Sequence, residues 1–217
     1  MRGLIEKDLR LTLVRKQTLL IFLVMALFMS VSMDGSFIIG YLTMLSTIIA
    51  IGTISYDEYD NGFPFLMTLP FARKTYVIEK YIFSFLIAAA AWCVGTILFF
   101  IVNVIRHNTM NPAEELPVLI AILPALYLAA AFMIPLQLKY GAEKSRIILF
   151  ILFGLIAVAI TGSKTVMTGS KNPLAGLAKL LDSLSPWAVL SAIVAICFLI
   201  SLICCLWSIK IVENKEY

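Results

Sequence analysis

Six apolar runs, at about 17–33, 36–56, 81–105, 118–138, 147–163 and 187–209, contain no Asp, Glu, Lys, Arg or His. An α-helix needs about 20 such residues to cross roughly 30 Å of hydrocarbon, so each run has the length of a membrane span. In lipid every backbone N–H and C=O must be satisfied within the segment, which leaves helices as the form open to runs of this kind. The rest of the chain is short connections: 61% of the 217 residues are hydrophobic and 14% charged, against about 45–50% and 25% in a soluble domain. The expected fold is all-α, a polytopic membrane protein of six transmembrane helices forming a single transmembrane domain over 1–217.

The distribution of Lys and Arg sets the expected orientation. With the N-terminus inside, segments 1–16, 57–80, 139–146 and 210–217 hold five, three, three and two basic residues, thirteen together. The outer segments hold four: Arg106, Lys164, Lys171 and Lys179. Both termini are therefore expected in the cytoplasm, and the net charge of +4 reflects topology, with no nucleic-acid partner implied. The leader "MRGLIEKDLRLTLVRK" is long for the charged region of a signal peptide and the run after it long for its apolar region, so cleavage is not expected. Its Ile5, Leu9 and Leu13 recur every four residues among Arg2, Lys7, Arg10, Arg15 and Lys16. That spacing suggests a basic helix over 1–16 lying on the inner surface; flanking charges that only set topology are the other reading. Cys93, Cys197, Cys204 and Cys205 all fall within spans, where a thiol acts as a small apolar group.

Two spans carry small residues along one helical face. The second has Ser36, Gly40, Thr43, Thr47 and Ala50; the sixth has Cys197, Ser201, Cys204 and Ser208. Small residues let membrane helices pack closely, and the same faces could instead line a central seam or substrate path. Pro124 and Pro135 in the fourth span each remove a backbone donor and favour a kink. Over 164–186 the run "NPLAGLAKLLDSLSPW" opens with Asn172 as an N-cap and Pro173 at the first helical position. Leu174, Leu177, Leu181 and Leu184 share a face, so a short amphipathic helix at, or re-entering, the outer interface is expected.

No catalytic constellation can be assembled. The one histidine, His107, lies in an outer loop, which puts the usual histidine metal sites out of reach. "GSKT" at 162–165 lacks the Gly-Lys pair and the earlier glycine of a phosphate-binding loop. "EELP" at 114–117 lies outside the spans without the histidines of a membrane protease. Uncharged spans also lack the ionisable relays common in ion-driven transporters. No metal, cofactor or enzymatic activity is expected of the chain itself.

The connection "SYDEYDNGFPFLMTLPFARKTYVIEKY" at 55–81 is far longer than a turn requires. Asp57, Glu58, Tyr59 and Asp60 follow the second span, Asn61-Gly62 supplies a turn, and "ARKTYVIEKY" can run as a helix into the third. Between them Phe63, Phe65, Leu66, Leu69 and Phe71, with Pro70 and Arg73, form an aromatic cluster with a charged rim. Such a cluster is what a protein–protein hot spot requires. An aromatic belt at the bilayer surface accounts for the tyrosines but less well for the acids and prolines.

Three stretches together resemble the membrane permeases of ABC-type exporters, the second, exporter-type class of small six-span bacterial subunits. They are "LIEKDLRLTLVRK", "YDEYDNGFPFLMTLPFARKTYVIEKY" and "IPLQLKYGAEKSR" at 134–146. Permeases of peptide-toxin and bacteriocin-resistance exporters look most similar. The resemblance implies a multi-pass protein of the bacterial cell membrane that pairs with an identical or homologous permease above two ABC ATPase subunits. It further implies that ATP and Mg are bound by those partners, and that the 57–80 loop carries a coupling helix seated in the ATPase. The helix before span six would then form part of an outer gate, and an amphipathic substrate (peptide, antimicrobial or lipid-like) would move outward. A membrane anchor that docks a cytoplasmic partner without transporting anything is the alternative.

Overall fold

A computed structural model describes residues 1–32, 36–59, 62–68, 72–106, 112–166 and 185–214. Within them the regular structure is helical: α1 (Arg2–Val14), α2 (Lys16–Ser32), α3 (Ser36–Glu58), α4 (Gly62–Met67), α5 (Arg73–Ile105), α6 (Pro112–Val166) and α7 (Pro186–Glu213). Four helical stretches, Ser36–Glu58, Arg73–Ile105, Glu115–Ser145 and Pro186–Glu213, are long and apolar enough to cross a membrane. Counting the bent α1–α2 pair as one more brings the number to five. The expected span at 147–163 falls on the second limb of α6, whose backbone is helical to Val166 and most of whose side chains lie outside the described residues. The amphipathic segment expected at 164–186 lies largely outside them too. Ser185 caps α7, its hydroxyl accepting from the Ala188 N–H at 3.3 Å, with Pro186 opening the helix.

Contacts between helix ends fix which ends lie together. Lys7 of α1 pairs with Asp57 at the end of α3, and Tyr76 near the start of α5 bonds the same Asp57. Arg73 donates to the carbonyls of Val212 and Glu213 at the end of α7, at 3.3 and 3.1 Å. The leader, the end of α3, the start of α5 and the end of α7 thus share one end of the bundle, here termed the foot. At the opposite end Arg106, closing α5, donates to the Ser30 carbonyl of α2.

The α1 axis turns 63° from that of α2. The stripe it turns to the bundle is mixed in polarity. Leu4, Asp8 and Thr12 turn inward, while Leu9 and Leu13 are 44% and 56% exposed. The reason is electrostatic: Asp8 has partners inside the bundle, and a helix can turn only one stripe towards them. The leucine stripe is left facing away from the protein.

Two backbone features shape the bundle. Gly95 of α5 lies against Ile39 of α3, where an added Cβ would stand 3.0 Å from the Ile39 Cα. Gly141 breaks α6 with φ 79° and ψ 169°, a left-handed φ that side-chain-bearing residues rarely adopt. Pro135 lacks the N–H that would serve the Ala131 carbonyl four residues back; the Tyr81 hydroxyl donates to that carbonyl instead, at 3.1 Å. Among the described residues the largest apolar cluster lies in the foot half, joining Ile54, Phe63, Tyr76, Tyr81, Ile134, Leu138, Cys204 and Val212. Smaller clusters around Ile38 and around Ile39 and Phe99 lie further along the bundle.

Gly95→Leu should force α3 and α5 apart at their backbone contact and lower stability by about 1–3 kcal/mol, the cost of overpacking a filled site. Gly40→Ala, with nothing within 4 Å of an added Cβ, should leave the midpoint unchanged. Thermal unfolding of the detergent-solubilised proteins reads both.

Candidate functional site at the foot of the bundle

The apolar run beginning at Tyr81 belongs to a longer helix. At about 1.5 Å per residue, α5 is roughly 50 Å long, and its 33 residues overshoot the hydrocarbon by several turns. Those extra turns carry Tyr76, Glu79 and Lys80 into the bundle, where all three are 0–1% exposed. They meet Asp57 and Thr53 of α3 and Asp8 of α1, which are 5%, 2% and 0% exposed.

A lysine ammonium has three donors and a carboxylate about four acceptor sites, and the pairing here follows that inventory. The Lys80 Nζ bonds Asp8 Oδ2, reaches Asp57 Oδ2 at 2.7 Å and donates to Thr53 Oγ1 at 3.2 Å. Thr53 in turn stands 3.1 Å from Asp8 Oδ2. Lys7 bonds the other oxygen of Asp57 and lies 3.2 Å from Asp8 Oδ1. The Tyr76 hydroxyl donates to Asp57 Oδ2 at 3.0 Å, and its ring faces the Lys80 ammonium at 5.2 Å. Two lysines and two aspartates thus close a neutral cluster over three helices. Burial pulls the Lys7 pKa down, but Asp57 and Asp8 outweigh it and hold it above the ordinary lysine value. Glu79 adds a further carboxylate, buried, with neither oxygen hydrogen-bonded among the described residues.

Tyr81, the next residue, ties α5 to the other side of the bundle. Besides its bond to Ala131 of α6, its hydroxyl lies 3.0 Å from Ser208 Oγ of α7. Residues 76–81 therefore link α5 to α1, α3, α4, α6 and α7. From sequence, Asp57 is expected on the partner-facing loop and "ARKTYVIEKY" as a helix running into the third span; the structure buries Asp57, Glu79, Lys80 and Tyr81. The length of "ARKTYVIEKY" as a helical extension was the available signal, since Tyr76 and Lys80 fall one turn apart on one face.

The residues expected to face a partner divide in two. Asp57 is inside the ion cluster. Phe63 is buried, its ring edge-on to Tyr76 with centroids 5.2 Å apart, and Leu66 packs on the same apolar cluster. Glu58 reaches the break in α6, where its Oε2 accepts the Ala142 N–H at 3.1 Å. That carboxylate sits at the N-terminus of the second limb, where negative charge is favoured. Arg73 holds the end of α7. On the outward side, Tyr59 is 75% and Phe65 69% exposed. Leu69, Pro70 and Phe71 lie outside the described residues. Of the two small-residue faces, Ser36 and Gly40 are partly covered, and Thr43, Thr47, Cys197 and Ser201 are buried within this one chain. The Thr43 and Thr47 hydroxyls donate to backbone carbonyls four residues back, at 2.7 Å.

Removing one member of a buried ion pair costs about 3–5 kcal/mol because its partner is left charged and unpaired. Lys80→Met should show a loss of that order in thermal unfolding, and adding Asp8→Asn and Asp57→Asn should recover part of it. Glu79→Gln, which removes an unbonded buried carboxylate, should leave the midpoint unchanged or raise it.

The search of curated proteins gives no match to the chain. The family model described as ABC-2 family transporter protein matches residues 3–213, a range that takes in the leader, the foot cluster, α4 and the end of α7. The chain belongs to the ABC-2 transporter family, as a multi-pass membrane permease of ABC type.

Proposed function

We propose that the chain is the membrane subunit of an ATP-driven exporter, and that α4 is the element through which a separate ABC ATPase moves it. The observation that carries this reading is the two-sidedness of α4. Its inner face, Phe63 and Leu66, is packed into the largest apolar cluster, while Phe65 on the opposite face is 69% exposed next to the exposed Pro64 and Thr68. A six-residue helix has no independent stability in water, so its position is set by what it packs on. An exposed phenylalanine on such a rigidly seated helix is suited to fill a pocket in a partner.

Closure of two ATPase subunits on ATP then displaces α4 as part of the foot. Phe63 bears on Tyr76, Tyr76 is bonded to Asp57, and Asp57 is held by Lys7 and Lys80. The displacement reaches α1, α3 and α5 as one body. The chemistry of hydrolysis, with ATP and Mg, belongs to the partner; this chain supplies the path and its gating. Six spans with both termini in the cytoplasm fit the shared foot of α1 and α7, since two ends on one side require an even number of crossings. A second permease, identical or homologous, completes the path, and an amphipathic substrate is moved outward through the bacterial cell membrane.

Phe65→Asp should cut recovery of a co-expressed cognate ABC ATPase in pull-downs by at least about tenfold, on the scale of losing one hot-spot aromatic, with no change in unfolding midpoint. Phe63→Asp should instead lower the midpoint, because it buries a charge beside Tyr76. Full ATPase recovery by the Phe65→Asp protein would exclude α4 as the docking element. ATP-dependent substrate efflux from reconstituted vesicles separates an exporter from an anchor that only binds.

A further inference from the structure

At the foot, the ends of α6's first limb and of α7 leave a groove of about 420 Å³ lined by Lys139, Trp207, Lys210, Ile211 and Asn214. Neither α4 nor the buried ion cluster contributes a lining residue. We propose that this groove binds the headgroup of an anionic phospholipid from the leaflet on the side of the two chain termini.

Three features point to that occupant. The first is charge. Lys139 and Lys210 converge on the groove, and among the described residues neither has a carboxylate at ion-pair distance; the nearby Glu213 is 3.4 Å from Lys74 instead. Two lysines with no counter-charge among the described residues, in a pocket between membrane helices, match an anionic headgroup.

The second is depth. Trp207, 45% exposed, and Tyr140, 41% exposed, place aromatic rings at the level of the lysines. Amphipathic rings and snorkelling lysines mark the boundary between hydrocarbon and water. The third is the surface above. On α7 the residues Leu199, Ile203 and Leu206, exposed by 59%, 65% and 68%, form a track rising from Trp207. From Lys210 to Leu199 that track climbs about 16 Å, close to half of a hydrocarbon core of about 30 Å. It is the length one acyl chain covers when its phosphate sits between the lysines. A soluble anion would use the charge but leave the track without a role.

The full-length protein in mild detergent, equilibrated with phosphatidylglycerol or phosphatidylcholine and examined by native mass spectrometry, tests this. Phosphatidylglycerol should be retained in preference. Lys139→Gln/Lys210→Gln should weaken its retention by about thirtyfold, each lysine near a headgroup contributing about fivefold. Lys16→Gln, an exposed lysine elsewhere in the chain, should change nothing, and equal unfolding midpoints would show that all variants fold. Equal retention of phosphatidylcholine, unchanged phosphatidylglycerol retention in the double variant, or an equal loss in Lys16→Gln would overturn the site. So would displacement of the lipid by tens of millimolar inorganic phosphate, which would make the groove a simple anion site, or loss of lipid on permease dimerisation, which would make it a subunit contact. ATPase recovery is unaffected in every case, so the result stands apart from docking at α4.

Discussion

The Lys80–Asp8–Asp57–Lys7 cluster is the constraint on which the rest of the foot depends. Each charge is expensive to desolvate alone, and the four are affordable only together, in the geometry that lets Lys80 bridge both aspartates. That requirement fixes the rotation of α1, because Asp8 must face inward. It also fixes the register of α3 against α5, because Asp57 and Thr53, one turn apart, must meet Lys80 and Tyr76. Apolar packing between membrane helices is comparatively indifferent to rotation, since lipid tails are as apolar as leucine. A directional polar cluster at one end supplies the specificity that the uncharged spans lack.

Two acids of "YDEYD", Asp57 and Glu58, serve the same end. Asp57 enters the cluster, and Glu58 caps the limb of α6 that begins after Gly141. The chain therefore uses the two carboxylates at the end of α3 to define where α5 begins and where α6 breaks. Among the described residues of the connection Tyr59 and Phe65 stay exposed, whereas Asp57 is buried and Glu58 half-buried.

The apolar runs announced the helices because lipid-length hydrophobicity is a property of composition, visible without neighbours. The uncharged interior of the spans was legible for the same reason. The foot was not. Charges just past an apolar run look the same in sequence whether water or an opposite charge faces them, and only the bundle brings Asp8 to Lys80 across 72 residues. In the leader, periodicity marked the Ile5, Leu9, Leu13 stripe, while the stripe that faces the bundle is set by the Asp8–Lys80 contact, which only the fold brings together. For the loop, the hot-spot composition identified the segment, while the division between the inward Phe63 and Leu66 and the outward Phe65 needed the packing of α4. The Gly141 break lay within a quoted motif, yet its meaning depends on Glu58, which arrives from another helix.

The foot of the bundle is held by ion pairs as well as by apolar packing, and that bears on how the proposed exporter would move. At the foot, ion pairs, the Tyr81 bridge to Ala131 and Ser208, and the largest apolar cluster join every described helix except α2. Towards the other end the described cross-helix polar links are the Arg106 bond to Ser30 and the Trp92 indole N–H donated to the Leu119 carbonyl at 2.9 Å. A push on α4 meets a stiff block and is passed on with little internal deformation, because ion pairs in a dry environment resist separation more than dispersion contacts resist sliding.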